Sequence, residues 1–396
     1  MTTHIKEIKQ TTIIYNTISN INSQNNKNVN KNTFKKYACF DLDHTLIRPK
    51  EGHIFPKNRD DWELMDNVKD ILNILYKNNW IIIIFTNQLG VEKNYITRKD
   101  LNIKFKNIVD KIGIEIYIIA STKKDIYRKP YLGMWNIVKN KLNIDLNKDY
   151  IFYCGDAFQI HDVKLRGSDL KFAMNIGIQF LKPDEIFILK DKFDIENFTK
   201  KIENKIENKK IIEFKEKLIY ERFNYIDDDI YTNDYYKIKN YVENYKFLFI
   251  ISPPSSGKTT FSKNILEKEF NYVRLSKDDY KTISQYKKAV KQHLEKRDKI
   301  VFDNTNSKNK GRNELIALIE KAGYTINDIG YIYRDVKKKD SMYLNKYRFY
   351  KTNGEHKLLP EVAIHSYYKN LELPENTNYI TVSNMIIGDV LDKKVF

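Results

Sequence analysis

The stretch "YACFDLDHTLIRPKEG" (Tyr37–Gly52) decides how this chain is read. An apolar, strand-like run ends in two carboxylates, Asp41 and Asp43, and Thr45 follows two positions later. Side chains two apart on extended chain leave the same face. Charge at the mouth of a buried strand is costly unless something compensates it. One carboxylate of such a pair can act as a nucleophile while its neighbour gives or takes a proton, which suits phosphoryl transfer through an aspartyl-phosphate. Two carboxylates and a phosphate repel one another without a cation, so Mg²⁺ is expected at the pair.

The neighbouring motifs supply what that chemistry needs. "WIIIIFTNQ" places Thr86 at the end of a buried run, where a hydroxyl can hold a phosphate oxygen. "YRKPYLGMW" places Lys129 ahead of a helical stretch, where an ammonium neutralises phosphate. "YIFYCGDA" places Asp156 after a third strand, ready to complete a metal site. A further acid, Asp162 or Asp169, is expected there, with Asp169 of "SDLKFAMNIG" preferred. Apolar runs alternate with amphipathic stretches from Lys35 to about Lys190, which predicts a parallel α/β sheet. Strand ends in such sheets converge on one crevice.

A second series begins at Tyr245. "FLFIISPPSSGKTTF" reads as strand, turn and helix start. It follows the phosphate-loop pattern G-x-x-x-x-G-K-S/T except that Ser252 replaces the first Gly. Ser255, Ser256 and Gly257 would present backbone N–H groups to phosphates at a helix N-terminus. Lys258 would reach the β- and γ-phosphates of ATP, Thr259 would hold Mg²⁺, and Thr260, like Ser252, is counted among the ATP-binding residues. "RLSKDDY" offers Asp278 as a base for an attacking hydroxyl, with Lys277 before it. "KIVFDNTN" offers Asp303 as a supporting carboxylate. Arg312 and Arg348 are candidates to clamp the transferred phosphoryl group.

Bulk properties set limits on these readings. The 396 residues exceed one small core, and 41% hydrophobic with 31% charged residues permits globular domains. No apolar run approaches the roughly 20 residues of a membrane helix. The N-terminus lacks the apolar core of a signal peptide. A soluble intracellular protein is therefore expected, in nucleus, cytoplasm or a viral replication compartment. Cys39 and Cys154, the two cysteines, sit in strand-like runs and read as buried hydrophobes rather than a disulfide. The seven histidines form no HxH or HExxH pair, His44 reads as a turn residue, and Trp62 and Trp135 read as packing residues. The net charge of +17 favours a polyanionic partner, nucleic acid first. Codon bias toward Lys, Asn, Ile and Tyr accounts for part of it.

The ordered set Asp41/Asp43, Thr86, Lys129 and Asp156 resembles the haloacid dehalogenase superfamily of aspartyl-phosphate phosphatases. With the phosphate loop behind it, the chain resembles the bifunctional polynucleotide kinase 3′-phosphatases. "RKPYLGMW" and "DNTN" carry most of that likeness, and "LPEVAIHSYYKNLELP" resembles the family's closing segment. The resemblance implies that Asp41 is the nucleophile and Asp43 the general acid and later base. It implies that Thr86 and Lys129 hold phosphate. Asp41, Asp156, Asp169 and the Asp43 main chain would hold Mg²⁺. In the second half it implies Lys258 and Thr259 at ATP and Mg²⁺, Asp278 as base, Asp303 as support and Arg348 as transition-state cation. The implied activity removes a 3′-phosphate and phosphorylates a 5′-hydroxyl on DNA ends, leaving termini for a separate ligase.

Two departures bear on this. Ser252 for Gly is expected to weaken ATP binding, and Lys277 stands where an Arg usually precedes the base. The N-terminal segment is also too short for a forkhead-associated domain. The same chemistry on RNA ends, or an inert nucleic-acid-binding protein on old enzyme folds, are the competing readings. The expected organisation is a flexible polar tail (1–34, with a short helix or strand allowed), a Rossmann-like phosphatase domain (35–190), a charged connector (191–244) and a phosphate-loop kinase domain (245–396).

Overall fold

The structure is a computed structural model that describes residues 2–8, 12–18, 34–50, 56, 58–158, 160–161, 164–165, 167–203, 236–375 and 379–382. The chain divides into two compact units, Met1–Leu218 (with Lys393–Phe396) and Ile219–Asp392. Among the described residues no helix is long and apolar enough to cross a membrane.

The first unit is built on a seven-stranded sheet. Its strands are β1 (Thr2–Ile8), β2 (Thr12–Ile18), β3 (Lys36–Phe40), β4 (Trp80–Asn87), β5 (Ile116–Ser121), β6 (Tyr150–Cys154) and β7 (Gln179–Leu181). Their spatial order is β1-β2-β5-β4-β3-β6-β7. The five strands from β3 onward are parallel. The central ones read as unbroken apolar runs because helices cover both faces of such sheets. Helix α1 (Val68–Lys77) buries Val68, Ile71, Leu72 and Leu75, one stripe at helical spacing. Helix α2 (Arg98–Ile112) starts where the Thr97 hydroxyl accepts from Asp100 N and stops at Gly113, whose φ of 85° suits only glycine well. Helices α3 (Gly133–Leu142) and α4 (Ser168–Ile176) complete the crossovers. Trp62, Trp135, Cys39 and Cys154 are all buried in this unit, as their surroundings in sequence suggested.

Two boundaries differ from the sequence reading. Residues 2–8 and 12–18, expected in a flexible tail, form an antiparallel strand pair whose second strand pairs antiparallel with β5, from Thr12↔Ser121 to Asn16↔Tyr117. The Thr- and Ile-rich stretches favour strand, and the pair covers what would otherwise be an open sheet edge. The ends of the expected connector also belong to the units. Helix α5 (Ile195–Glu203) buries Ile202 in the first core, and Phe198 packs edge-on against Phe152 with centroids 5.3 Å apart. Helix α6 (residues 236–242) puts Ile238 and Val242 into the second core. Residues 204–235 lie outside the described residues.

The second unit has a five-stranded parallel sheet: β8 (Phe247–Ile251), β9 (Val273–Leu275), β10 (Ile300–Phe302), β11 (Ile329–Arg334) and β12 (Tyr379–Val382). The order is β9-β10-β8-β11-β12. Side chains of β8 alternate between two cores, Phe247, Phe249 and Ile251 on one face and Leu248 and Ile250 on the other. Helices α7 (Ile283–Glu295), α8 (Asn309–Lys321), α9 (Lys338–Lys351) and α10 (Glu361–Lys369) flank it. The two parallel α/β sheets expected from sequence are therefore present. In each, the first parallel strand lies inside the sheet with later strands on both sides. Ligands in open α/β sheets bind at such switch points, beyond the carboxyl ends of the strands.

Candidate active sites

Asp41 follows β3 directly, and its N–H donates to the Cys154 carbonyl at the end of β6 (2.8 Å). That bond brings the Asp41 and Asp156 loops together. Asp169, in the first turn of α4, completes the group: ligand oxygens of Asp41, Asp156 and Asp169 all lie within 4.8 Å of one another. Asp169 thus stands with Asp41 and Asp156 in space, while Asp162 lies outside the described residues. Gly155 makes the approach feasible. A Cβ there would fall 2.6 Å from the Asp169 carboxylate. The Ala157 N–H donates to Asp169 Oδ2 (3.0 Å) and fixes that carboxylate.

Lys129 sits among these acids. Its Nζ donates to Asp41 Oδ1 (2.5 Å), Asp169 Oδ1 (2.7 Å) and the Tyr153 hydroxyl (2.8 Å). Its three N–H donors therefore have three acceptors. Burial lowers the Lys129 pKa, but the Asp169 and Asp41 carboxylates outweigh it and hold the ammonium above its usual range. Burial first, and then the Asp169 charge, push Asp41 well above the ordinary carboxylate range, against the pull of Lys129. Burial and Asp169 also raise Asp156, which His44 and Lys129 oppose. All three donors are hard oxygens, the chemistry of a divalent cation site.

Asp43 is held by a second set of contacts. Gln88 Nε2 donates to Asp43 Oδ2 (2.7 Å) and to Thr86 Oγ1 (2.8 Å). Lys104 Nζ, from α2, is 3.4 Å from Asp43 Oδ1. Asn87 pins the lysine loop, exchanging bonds with Lys129 N (2.9 Å) and Lys129 O (3.3 Å). His44 occupies the turn, with φ of 60°.

In the second unit the loop Ser252–Lys258 follows β8. Ser252 is fully buried, and its hydroxyl meets that of Ser256 at 2.5 Å, while Ser256 donates to the Pro253 carbonyl (2.7 Å). The serine that replaces glycine thus ties the loop internally. Ser255 (φ 59°) and Gly257 (φ 80°) turn the chain through the left-handed region. The helix beginning at Lys258 starts in solvent, with Gly257, Thr259 and Thr260 exposed. Helix α9 is pinned to the loop by Ser341 Oγ donating to the Pro254 carbonyl (2.6 Å) and by Ser255 Oγ donating to Asn345 Oδ1 (3.3 Å). Arg348 lies on the same face of α9, seven and three residues along.

Lys258 donates to the Pro253 carbonyl (2.8 Å). Burial pulls its pKa down to about 8, with Arg334 and Arg348 pulling the same way and Asp303 and Asp278 opposing. The structure thereby gathers Lys258, Asp278, Asp303 and Arg348 around one loop. Two polar atoms in this group are buried and make no hydrogen bond, Asp303 Oδ1 and Arg348 Nε. Such orphans are uncommon and fit a site awaiting a polar ligand. The other Asp303 oxygen accepts from Arg274 Nε (2.6 Å), whose NH1 also meets Asp279 Oδ2 (2.7 Å). Lys277 is exposed, and its N–H donates to Asn304 Oδ1 (2.9 Å).

Arg312 departs from the sequence expectation. It is 2% exposed and donates to the carbonyls of Asn306 (2.5 Å) and Glu372 (2.7 Å) and to Asn309 Oδ1. Its guanidinium closes a main-chain clamp. Sequence reasoning passed over Gln88, Lys104, Tyr153, Arg274 and Arg334. Arg334 is a buried guanidinium whose NH1 would be 3.7 Å from a Cβ on Gly257. Only Gln88, two residues beyond Thr86 in "FTNQ", had a local signal.

Residues 36–187 match the family model described as polynucleotide kinase 3 phosphatase. The chain is 30% identical over 341 residues to the bifunctional polynucleotide phosphatase/kinase of Schizosaccharomyces pombe, covering 86% of this chain and 76% of that one. It is 27% identical over 376 residues to a putative bifunctional polynucleotide phosphatase/kinase of Acanthamoeba polyphaga mimivirus, covering 86% and 82%. A polynucleotide 3′-phosphatase of Saccharomyces cerevisiae is 27% identical over 208 residues, covering 38% of this chain and 86% of that one.

Proposed function

This chain belongs to the bifunctional polynucleotide phosphatase/kinase family, and from that premise we propose that it heals broken DNA ends. The first unit removes a 3′-phosphate and the second transfers the γ-phosphate of ATP to a 5′-hydroxyl. One observation carries the reading: a single chain holds two phosphate-suited constellations, each at the carboxyl ends of its own parallel sheet.

In the first unit Asp41 attacks phosphorus and the P–O3′ bond breaks. Asp43 gives its proton to the departing 3′-oxygen, leaving a phosphoryl group on Asp41. Water then splits this acyl phosphate, returning a proton to Asp43 and releasing inorganic phosphate. Thr86 and Lys129 receive the phosphate oxygens. Asp41, Asp156 and Asp169, with the Asp43 carbonyl, would hold Mg²⁺, and when bound that ion offsets the charge of carboxylates and phosphoryl group.

In the second unit the N–H groups from Ser255 to Lys258, and the Lys258 ammonium, receive the ATP phosphates. Thr259 would hold the nucleotide's Mg²⁺. Asp278 takes the proton of the 5′-hydroxyl, and Arg348 offsets charge on the phosphoryl group in flight. Asp303 supports the site. The basic surface serves the polyanionic substrate, and the products, 3′-hydroxyl and 5′-phosphate, suit a ligase acting next.

The test uses one DNA oligonucleotide carrying a 5′-hydroxyl and a 3′-phosphate, with labelled ATP and Mg²⁺, both ends being resolved on a gel. Wild type should convert both. Asp41→Asn should lose only 3′-dephosphorylation and Lys258→Ala only 5′-phosphorylation. A single variant that silences both ends refutes the two-site assignment, and activity confined to RNA refutes DNA as substrate.

A further inference from the structure

We propose that Gln88 and Lys104 form a positioning clamp that fixes the Asp43 carboxyl for proton transfer and, through Gln88, couples it to the phosphate-binding hydroxyl of Thr86. The inference rests on the phosphatase reading above.

Lys104 is out of place for a structural residue. It lies on the inner stripe of α2 beside Leu101, Phe105 and Ile108, and is 3% exposed. A leucine or methionine would pack there without cost, whereas a buried ammonium is costly unless paired. Its carboxylate partner is Asp43, 61 positions away in sequence, at 3.4 Å. Gln88 reaches the opposite oxygen of the same carboxyl at 2.7 Å. Both Asp43 oxygens are thereby contacted from the protein side, by donors on helix α2 and on the segment just after β4. The carboxyl cannot rotate away without breaking a bond to one of them.

The same Gln88 nitrogen donates to Thr86 Oγ1 at 2.8 Å. A hydroxyl has one donor hydrogen, and this contact uses its acceptor side. The Thr86 hydrogen is left for a phosphate oxygen. One amide therefore sets where the phosphate is held and where the acid stands relative to it. Proton transfer needs a heavy-atom approach of about 2.6–3.2 Å, so such coupling governs the chemical step rather than binding. The clamp serves both half-reactions. In the first, Asp43 protonates the 3′-oxygen as the P–O3′ bond breaks. In the second, Asp43 takes a proton from the water that forms the new P–O bond and cleaves the link to Asp41.

Leaving-group chemistry supplies the test. A sugar alkoxide must be protonated as it departs, whereas p-nitrophenolate leaves unaided. Full-length Lys104→Met, Gln88→Met and Lys104→Arg are compared with wild type. A 3′-phosphorylated oligonucleotide is followed in single turnover, and p-nitrophenyl phosphate by its pre-steady-state burst. General acid–base catalysis is worth about 10²–10⁴-fold, so a displaced acid should slow the oligonucleotide step about 10–100-fold. For Lys104→Met, KM should stay unchanged, the nitrophenolate burst should keep its wild-type rate, and Lys104→Arg should restore much of the loss; Gln88→Met, which also releases Thr86, should slow the oligonucleotide step more than the burst. Equal losses on both substrates mean a structural role and overturn the clamp, as does a change confined to KM. If Lys104→Met does not fold, Gln88→Met, at a half-exposed position, decides alone. Wild type inert on the 3′-phosphate sinks the parent reading, whereas active wild type with indifferent variants overturns only the clamp.

Discussion

Replacing Lys129 with methionine keeps most of the side chain's length and deletes its charge. Side-chain exposure is 1% at Lys129, 1% at Asp169 and 13% at Asp41, so solvent screens the group little. In the wild-type chain one ammonium balances two carboxylates at 2.5 and 2.7 Å. In the variant both carboxylates remain buried without it, and the Tyr153 hydroxyl loses its lysine partner. Breaking a buried pair by removing one member costs about 3–5 kcal/mol. For a unit of this size that corresponds to a fall in Tm of about 6–20 °C. The sign of the pH dependence follows from Asp41, whose pKa burial and Asp169 already raise. With the lysine gone it rises further. A carboxyl raised in the folded state holds its proton longer there than in the unfolded chain, so stability falls as pH rises through that range. The deficit should therefore be larger at pH 8 than at pH 5.

Calorimetry can read this if the two units melt separately. The second transition is assigned by its shift with a non-hydrolysable ATP analogue, and the first is then compared between wild type and Lys129→Met in chelator. Adding Mg²⁺ at about 100 times its dissociation constant should return about 2.7 kcal/mol to the variant. Lys129→Met with Asp169→Asn should recover most of the loss, because the two sites share one interaction. A first transition unmoved by Lys129→Met at pH 8 would refute the view that this ammonium neutralises the acids. A double variant no better than the single one would refute the pairing with Asp169.

Two further outcomes follow from the geometry. Gly155→Ala should abolish 3′-dephosphorylation and sparing of 5′-phosphorylation should accompany it, because the new Cβ would fall 2.6 Å from the Asp169 carboxylate; overpacking of this kind costs about 1–3 kcal/mol, and a variant with wild-type phosphatase rate would show that Asp169 is free to shift. ATP binding should take up a proton above pH 8, since the free Lys258 is pulled down to about 8 while a bound polyphosphate raises it; titration calorimetry in buffers of different ionisation enthalpy should show this in wild type and not in Lys258→Met, and affinity that stays flat from pH 7 to about pH 9.5 would contradict it.

The first site was legible because its chemistry sits where parallel strands end. Asp41 after β3, Thr86 at the end of β4 and Asp156 after β6 each follow an apolar run, and adjacent parallel strands deliver such positions to one edge. Tyr153 was not legible for the same reason. Its ring is fully buried within β6, so the pattern sorts it as core, and only its hydroxyl takes part in the site. Lys104 was hidden inside a helix whose period explained every neighbour. Nothing local separates an inward lysine from a snorkelling one until Asp43 is seen opposite.

Arg312 shows the converse failure. A cation soon after "DNTN" suggested phosphate, yet its acceptors are the carbonyls of Asn306 and of Glu372, 60 positions away. Buried carbonyls without a partner are costly, and a guanidinium offers five donors in a fixed fork. A loop that must stay open beside a phosphate site cannot satisfy its own backbone by regular ladders. Arginine is therefore recruited to hold that backbone as readily as to hold phosphate, and composition alone does not tell the two apart. What does is whether its donors are already spent. In Arg312 three of them go to the carbonyls of Asn306 and Glu372 and to Asn309 Oδ1. In Arg348, Nε is buried without a hydrogen bond, on the helix that Ser341 and Asn345 tie to the phosphate loop. Of these two arginines, only Arg348 has a buried donor without a hydrogen bond, which is the ground for proposing that it meets a ligand.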